Sequence, residues 1–315
     1  MERDIEYGKA EVTFYRTYAA PLVVTAIPES GFTGCENRLF AASVDVDVYG
    51  ANFLPAYTDG DNSNVVATDT MKNFIYAMAL DYGGATLEGF AAFLARRFLT
   101  TYPQMEALRI AAREQPFRAL GAVRPGEPAG PAGGVLFDRS RDDQAHVALH
   151  AGRIEAGEGG SAGTGGVVIT AAESGRHGLQ LIKLTGSSFT RFLRDEFTTL
   201  PETVDRPLYI HLDVHWRYSD LAAGLGEDLP RYVHAEQVRD FVHKIFDGFN
   251  SRSIQHLVDE IGQRMLDRFP QLAEVRFDAQ NRTWETVKVS ERDPKVKVYT
   301  DPHATFGKIG LVLRR

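Results

Sequence analysis

A single cysteine, Cys35, stands among 315 residues. One thiol excludes an intramolecular disulfide and a cysteine-based metal cluster. The chain also lacks any apolar run near the ~20 residues that a membrane-spanning helix needs. It lacks a basic stripe: 35 Lys and Arg stand against 42 Asp and Glu, a formal net charge of -7. Nucleic acid is therefore not an expected partner. The opening residues, MERDIEYGKA, are charged from the second position and carry no apolar core, so no secretory signal is expected there. No GxGxxG lies between a strand and a helix, which argues against a dinucleotide fold. No GxSxG elbow supports a Ser-His-Asp hydrolase. The nine histidines are scattered, without HExxH or a carboxylate cluster. His211, Asp213 and His215 share one face of a predicted strand and could bind a metal, but a half-exposed polar sheet face is the commoner reason for such a pattern. The expectation is a soluble, cytoplasmic protein without membrane, nucleic-acid or metal partners.

What is present is the ordinary mix of a globular protein, 43% hydrophobic and 24% charged. Two passes of one rhythm run along it. Residues 9–27 and 37–49 show partial alternation of β-branched and aromatic residues and predict strands. The pattern turns helical from Thr70 to about Leu80 and again over about 86–100. Strands are expected again at 108–117 and 143–150. Glycine-rich stretches at 121–134 and 157–166 read as loops. The second pass predicts strands at 166–173, 179–186 and 206–218. In the last, Leu208, Ile210, Leu212 and Val214 alternate with Tyr209, His211, Asp213 and His215. Helices at 235–248 and 252–268 follow, then strands at 272–279 and 306–314. Strands grouped around paired helices predict α+β with antiparallel sheet.

Four windows could carry chemistry. In VVATDT, Thr68, Asp69 and Thr70 fit a helix N-cap, the ordinary reading at a helix start; the alternative is a hydroxyl and carboxylate held beside a site at the strand-to-helix junction. The window 184–206 offers aromatic rings, Phe189 among them, and the guanidinium of Arg206. A ring to stack on and a fork to grip suit a flat, carbonyl-rich anion. Gln255, in NSRSIQ, adds a paired donor and acceptor. Lys9, at a strand start, becomes a base only where burial lowers its pKa.

Together these windows resemble the urate oxidase (uricase) family of the tunnelling-fold superfamily. YGKAEV (7–12), DNSNVVATDTMKNFIY (61–76), LTGSSFTRFLRDEFTTLPETVDR (184–206), WRY (216–218), SIQ (253–255) and VYTDPHATFG (298–307) keep that family's order over nearly the whole chain, nearest to Bacillus-type enzymes. The resemblance implies two tandem modules, 1–150 and 151–315, each an antiparallel four-stranded sheet with two helices on one face. It implies a homotetramer with active sites at subunit interfaces, acting on urate and O2 without metal or organic cofactor. Phe189 would stack the substrate, Arg206 and Gln255 would grip its edge, and the Ile254 backbone would contact the ring. Thr68 and Asp69 would come from the neighbouring subunit. Lys9 and Thr68 would relay protons, and Asn281 would hold dioxygen or water.

One departure stands out. The window AQNRTWE (279–285) lacks the family's relay histidine. Thr283 takes its place if Asn281 is the family asparagine; a slip by one gives Gln280 and Arg282. His303 could substitute from elsewhere. Two rival readings follow: an enzyme of another purine- or pteridine-like ring, or a purine-binding protein without catalysis.

Overall fold

The computed structural model describes residues 3–121, 132–139, 141–154 and 166–315. The expected loops at 121–134 and 157–166 lie largely outside them. Eight long strands build one sheet: β1 (Glu6–Thr17), β2 (Leu39–Tyr49), β3 (Ala107–Glu114), β4 (Gln144–Arg153), β5 (Val167–Lys183), β6 (Leu208–Tyr218), β7 (Leu272–Arg282) and β8 (Gly307–Arg314). They lie side by side in chain order, each antiparallel to the next. The two passes therefore share a continuous sheet, joined where β4 pairs with β5.

Four helices cover one face. α1 (Thr68–Asp81) and α2 (Leu87–Thr101) lie between β2 and β3; α3 (Ala235–Gly248) and α4 (Ile254–Arg268) lie between β6 and β7. The repeat is close in register: α1 and α3 have 14 residues, α2 and α4 have 15, and each pair starts 167 positions apart (68 to 235, 87 to 254). Period-2 alternation on the strands sets the faces. Ile210, Leu212 and Val214 are buried toward the helices with Val275 and Phe277. Val44, Val46, Leu108 and Ile110 do the same in the first half. Among the described residues no helix is long and apolar enough to cross a membrane.

The opposite face is charged and cross-linked between neighbouring strands. Asp47 and Arg109 are register partners and pair at 3.0 Å. Glu173 of β5 holds Arg217 and Arg276 at 3.0 and 3.1 Å. The rings of His146, His177 and His215 follow one another at 4.4 and 4.5 Å. His215 is buried, with Glu173 and Asp278 at 3.2 and 3.4 Å from its two nitrogens.

Three expectations are corrected. The strands expected at 166–173 and 179–186 are one strand, β5, running through the polar stretch between them. The reason is Arg176. It looks like a turn residue, yet it is fully buried where the halves join. Asp143 takes its Nε at 2.7 Å, and Glu236 and Glu114 take Nη1 at 3.0 and 3.3 Å. Gly178, at φ 78, absorbs the local distortion. The strand expected over 9–27 breaks after Thr17, and Leu22–Val23 instead pairs with Gly34–Cys35. Finally, α1 begins at Thr68, its N-cap is Ala67, and no side chain caps it. Asp69 turns instead to Lys72 and Asn73.

Two predictions follow from these charges. Removing one partner from a buried ionic cluster strands the others, so Arg176→Ala should cost about 3–5 kcal/mol. Arg217→Ala, on a half-exposed side chain, should cost under about 1 kcal/mol. Denaturant unfolding measures both, and equal small losses would contradict a buried tie. Burial, reinforced by the neighbouring rings, holds His146 at about 3 and His177 at about 4. The unfolded chain, with rings near ~6.5, binds protons first as pH falls. Stability should thus drop below pH ~6.5 toward 4, by at most about 1.4 kcal/mol per pH unit and ring, less where water screens them. His177→Asn should flatten the fall of Tm between pH 7 and 5; an unaltered slope would refute the assignment.

Candidate functional site

The segment 184–206, between β5 and β6, is tied down at both ends. Phe189 and Thr203 exchange backbone hydrogen bonds of 2.8 and 2.9 Å, and the amide of Arg206 donates to the Ser187 carbonyl at 2.8 Å. The Asp205 carboxylate accepts from the Thr185 hydroxyl (2.6 Å) and the Gly186 amide (2.8 Å). Those bonds hold its pKa below the usual range. Asp205 is therefore spent on the loop backbone, not on its neighbour Arg206.

A latch joins this segment to α4. Ser187 and Ser251 are both buried; the Ser188 amide donates to the Ser251 carbonyl at 2.8 Å, and the two hydroxyls meet at 3.2 Å. Ser253 caps α4 by accepting from the His256 amide at 3.1 Å. Ile254 is sunk in the core, whereas Gln255, the second helical residue, is exposed. From β5, Lys183 donates to the carbonyls of Phe246, Asp247 and Phe249, each at 2.9 Å, closing the C-terminus of α3 against the sheet.

Within that frame the Arg206 guanidinium lies 5.5 Å over the Phe189 ring. Phe189 stacks in turn on Phe192 at 4.9 Å and 14°. Arg206 is half-buried, and burial alone lowers its pKa. Among the described residues no carboxylate pairs with it, and its Nε is buried without a partner. A desolvated cation beside a flat ring is a receptor for a flat anion.

Strand alternation places the remaining candidates. Asn281 pairs with Ile210 in register and continues the side of Phe277 and Ala279, which face the helices. Gln280 and Arg282 lie on the opposite side, bonded to each other, with Arg282 4.3 Å over Phe306. Thr283 follows β7, and its carbonyl accepts from the His303 amide at 2.9 Å. The His303 ring is 3.5 Å from the Glu285 carboxylate.

Lys9, Thr68 and Asp69 form a separate group. Lys9 is half-buried on β1, at the bulge between Lys9 and Val12. Thr68 and Asp69 open α1 and are exposed. Lys72, first, and Lys9, more weakly, hold the Asp69 carboxyl below its usual pKa. This group is six strand spacings from Asn281 on β7, a path of ~29 Å along the sheet at ~4.8 Å per strand. The fold thus unites Phe189, Arg206, Ile254, Gln255 and Asn281 at one end of the second half. It leaves Lys9, Thr68 and Asp69 at the first. The supports Lys183, Ser187 and Ser251 were not foreseen; they sit in polar windows with no periodicity to mark them.

These observations define a class: a tandem-repeat, antiparallel α+β protein with a stacked ring and guanidinium on a latched crossover. Comparison gives the family. A uricase family model matches residues 5–130 and 172–310. The uricase of Haloferax volcanii is 46% identical over 304 residues, 96% of each chain. The uric acid degradation bifunctional protein of Bacillus subtilis is 42% identical over 98% of this chain, which spans about 60% of that relative's length. The urate oxidase of Bacillus sp. TB-90 superposes with a TM-score of 0.91 at 42% identity, covering 99% of this chain and 100% of that one. The chain belongs to the uricase family, and its fold is the tunnelling fold of that enzyme.

The Asp205 bonds should hold the crossover closed. Asp205→Ala should speed amide exchange at Gly186 and its neighbours by tenfold or more, since each charge-assisted bond contributes about 1.5–3 kcal/mol. Unchanged protection would show that the serine latch suffices alone.

Proposed function

We propose that this chain is a urate oxidase. It converts urate, O2 and water to 5-hydroxyisourate and hydrogen peroxide, without a metal or organic cofactor. The observation that carries the reading is Arg206, desolvated over Phe189 with no carboxylate of its own. Urate supplies what is missing there: a ring to stack and an anionic carbonyl edge to take the fork. Gln255 adds a donor and an acceptor to the same edge, and the Ile254 backbone borders the ring. Asn281, on the helix side of β7, directs dioxygen or the attacking water. Lys9 and Thr68 complete the deprotonation of urate, with Thr283 beside the reacting face. The resulting dianion is electron-rich enough to reduce oxygen itself, so the protein's work is to stabilise charge and to align partners.

The two groups lie too far apart to act within one chain, which supports a site shared between copies. A homotetramer in the cytoplasm, built from modules 1–150 and 151–315, is the assembly we infer. The two separate hydrophobic clusters support the modules.

Metal-stripped protein should consume urate and release peroxide one for one. Arg206→Ala should abolish urate binding, and Lys9→Met should slow turnover far more than binding. Refolding the two variants together should restore part of the activity, because some interfaces then carry both intact halves. No recovery, with both variants folded, would refute the shared site; normal affinity in Arg206→Ala would refute the grip.

A further inference from the structure

The repeat register gives each half of the proposed site a counterpart. Ile254 and Gln255 open α4 as Leu87 and Glu88 open α2. Thr68 and Asp69 open α1 as Ala235 and Glu236 open α3. The original halves lie apart in one chain, but the counterparts meet in it. The Tyr232 hydroxyl, just before α3, donates to Glu88 at 2.6 Å, and Ser174 donates to the other carboxylate oxygen at 2.9 Å. Around this junction lies a cavity of about 740 Å³ bordered by Leu87, Glu88, Ala235 and Glu236. That volume is typical of small-molecule sites.

We propose that this cavity is a second, non-catalytic binding site, for an uncharged planar heterocycle of the purine-base class. The ligand class rests on the urate reading above, through the repeat. Four rings, Phe32, Phe40, Phe117 and Phe137, border the cavity among charged side chains that include Glu88 and Glu236. Phe32 is already stacked on His234 at 4.3 Å and 19°. Burial keeps that imidazole neutral, with its pKa at about 3. Burial also raises the pKa of the Glu88 carboxyl, which stands at the helix position that Gln255 holds in the other repeat.

Charge separates the two sites. Arg206 stands two residues before β6; Asn37 stands two before β2 and donates instead to the carbonyls of Ala20 (2.7 Å) and Ala85 (3.0 Å). Around the rim, Arg141 and Arg239 are paired with Glu236, and Glu114 with Arg176. Arg118, also on the cavity, is paired with Asp138, and a neutral lactam needs no counterpart of the Arg206 fork.

Cys35, the chain's only cysteine, borders the cavity and is exposed, which makes it a native reporter. The probe is hypoxanthine, neutral at pH 7, and the readout is maleimide alkylation of Cys35 in the full protein. Saturating hypoxanthine at about ten times its Kd should slow alkylation about tenfold, equally in wild type and in Arg206→Ala. Ala119→Trp, which fills the cavity from its lining, should remove the protection while urate turnover stays. Alkylation unaffected by hypoxanthine, or protection lost in Arg206→Ala, overturns the second site. Urate turnover in the same wild-type sample decides the first site separately, so either reading can fail alone.

Discussion

A sheet whose strands follow chain order can bring together only what its strand positions allow, and that constraint decides where a site can form. Because β4 pairs with β5, the two repeats are fixed side by side and cannot fold over one another. The start of α1 is thus held near β1, and the start of α4 near the far end of β7. Each repeat has the parts of half a site at one place and half at another. Within the chain only the inner halves meet, at α2 and α3. A site built from the outer halves, Arg206 and Lys9 among them, would take a second copy, as proposed above. Quaternary structure in this reading is a consequence of sheet topology, not an addition to it.

Two arginines show how the same physics yields structure in one place and a receptor in another. Arg176 is fully buried and surrounded by Asp143, Glu114 and Glu236, so its desolvation is offset by charge-assisted bonds. Arg206 is half-buried and meets only an aromatic face. Among the described residues no carboxylate offsets its desolvation, which is what the proposed urate contact would do. Asp205 lies next to it in sequence but is turned away by Thr185 and Gly186, which keeps the guanidinium available.

Much of the fold was legible in the sequence because burial leaves a period. Alternation marked β6 residue by residue, and the 3.6 period marked all four helices within a few positions. The failures share one cause. Where a polar residue is buried and paired, as Arg176 is, sequence pattern reads a break in the strand, since its partners come from distant segments. The start of α1 was missed by two residues because Asp69 bonds forward to Lys72 and Asn73 and leaves the helix end uncapped. For the site, residue types alone suggested only a stack and a fork. Resemblance supplied the rest, because Thr68, Gln255 and Asn281 are ordinary residues that become distinctive only by position. The latch of Ser187 and Ser251 was invisible to both: it is a backbone contact between two loops.

The window at 280–283 turns on one geometric fact. Successive strand residues face opposite sides, so Asn281 and Gln280 cannot both face the helices. Asn281 follows Phe277 and Ala279, which puts it on the side of α4 and Gln255. Arg282 is committed to the other side, over Phe306 and bonded to Gln280. Arg282 could therefore stand in for the missing relay histidine only together with Gln280, on that other side. Thr283 remains, and its backbone is joined to that of His303, whose ring sits by Glu285. A threonine can pass a proton along a hydrogen bond but cannot hold one as a charge. In the proposed mechanism the charged proton must therefore rest on a group other than Thr283.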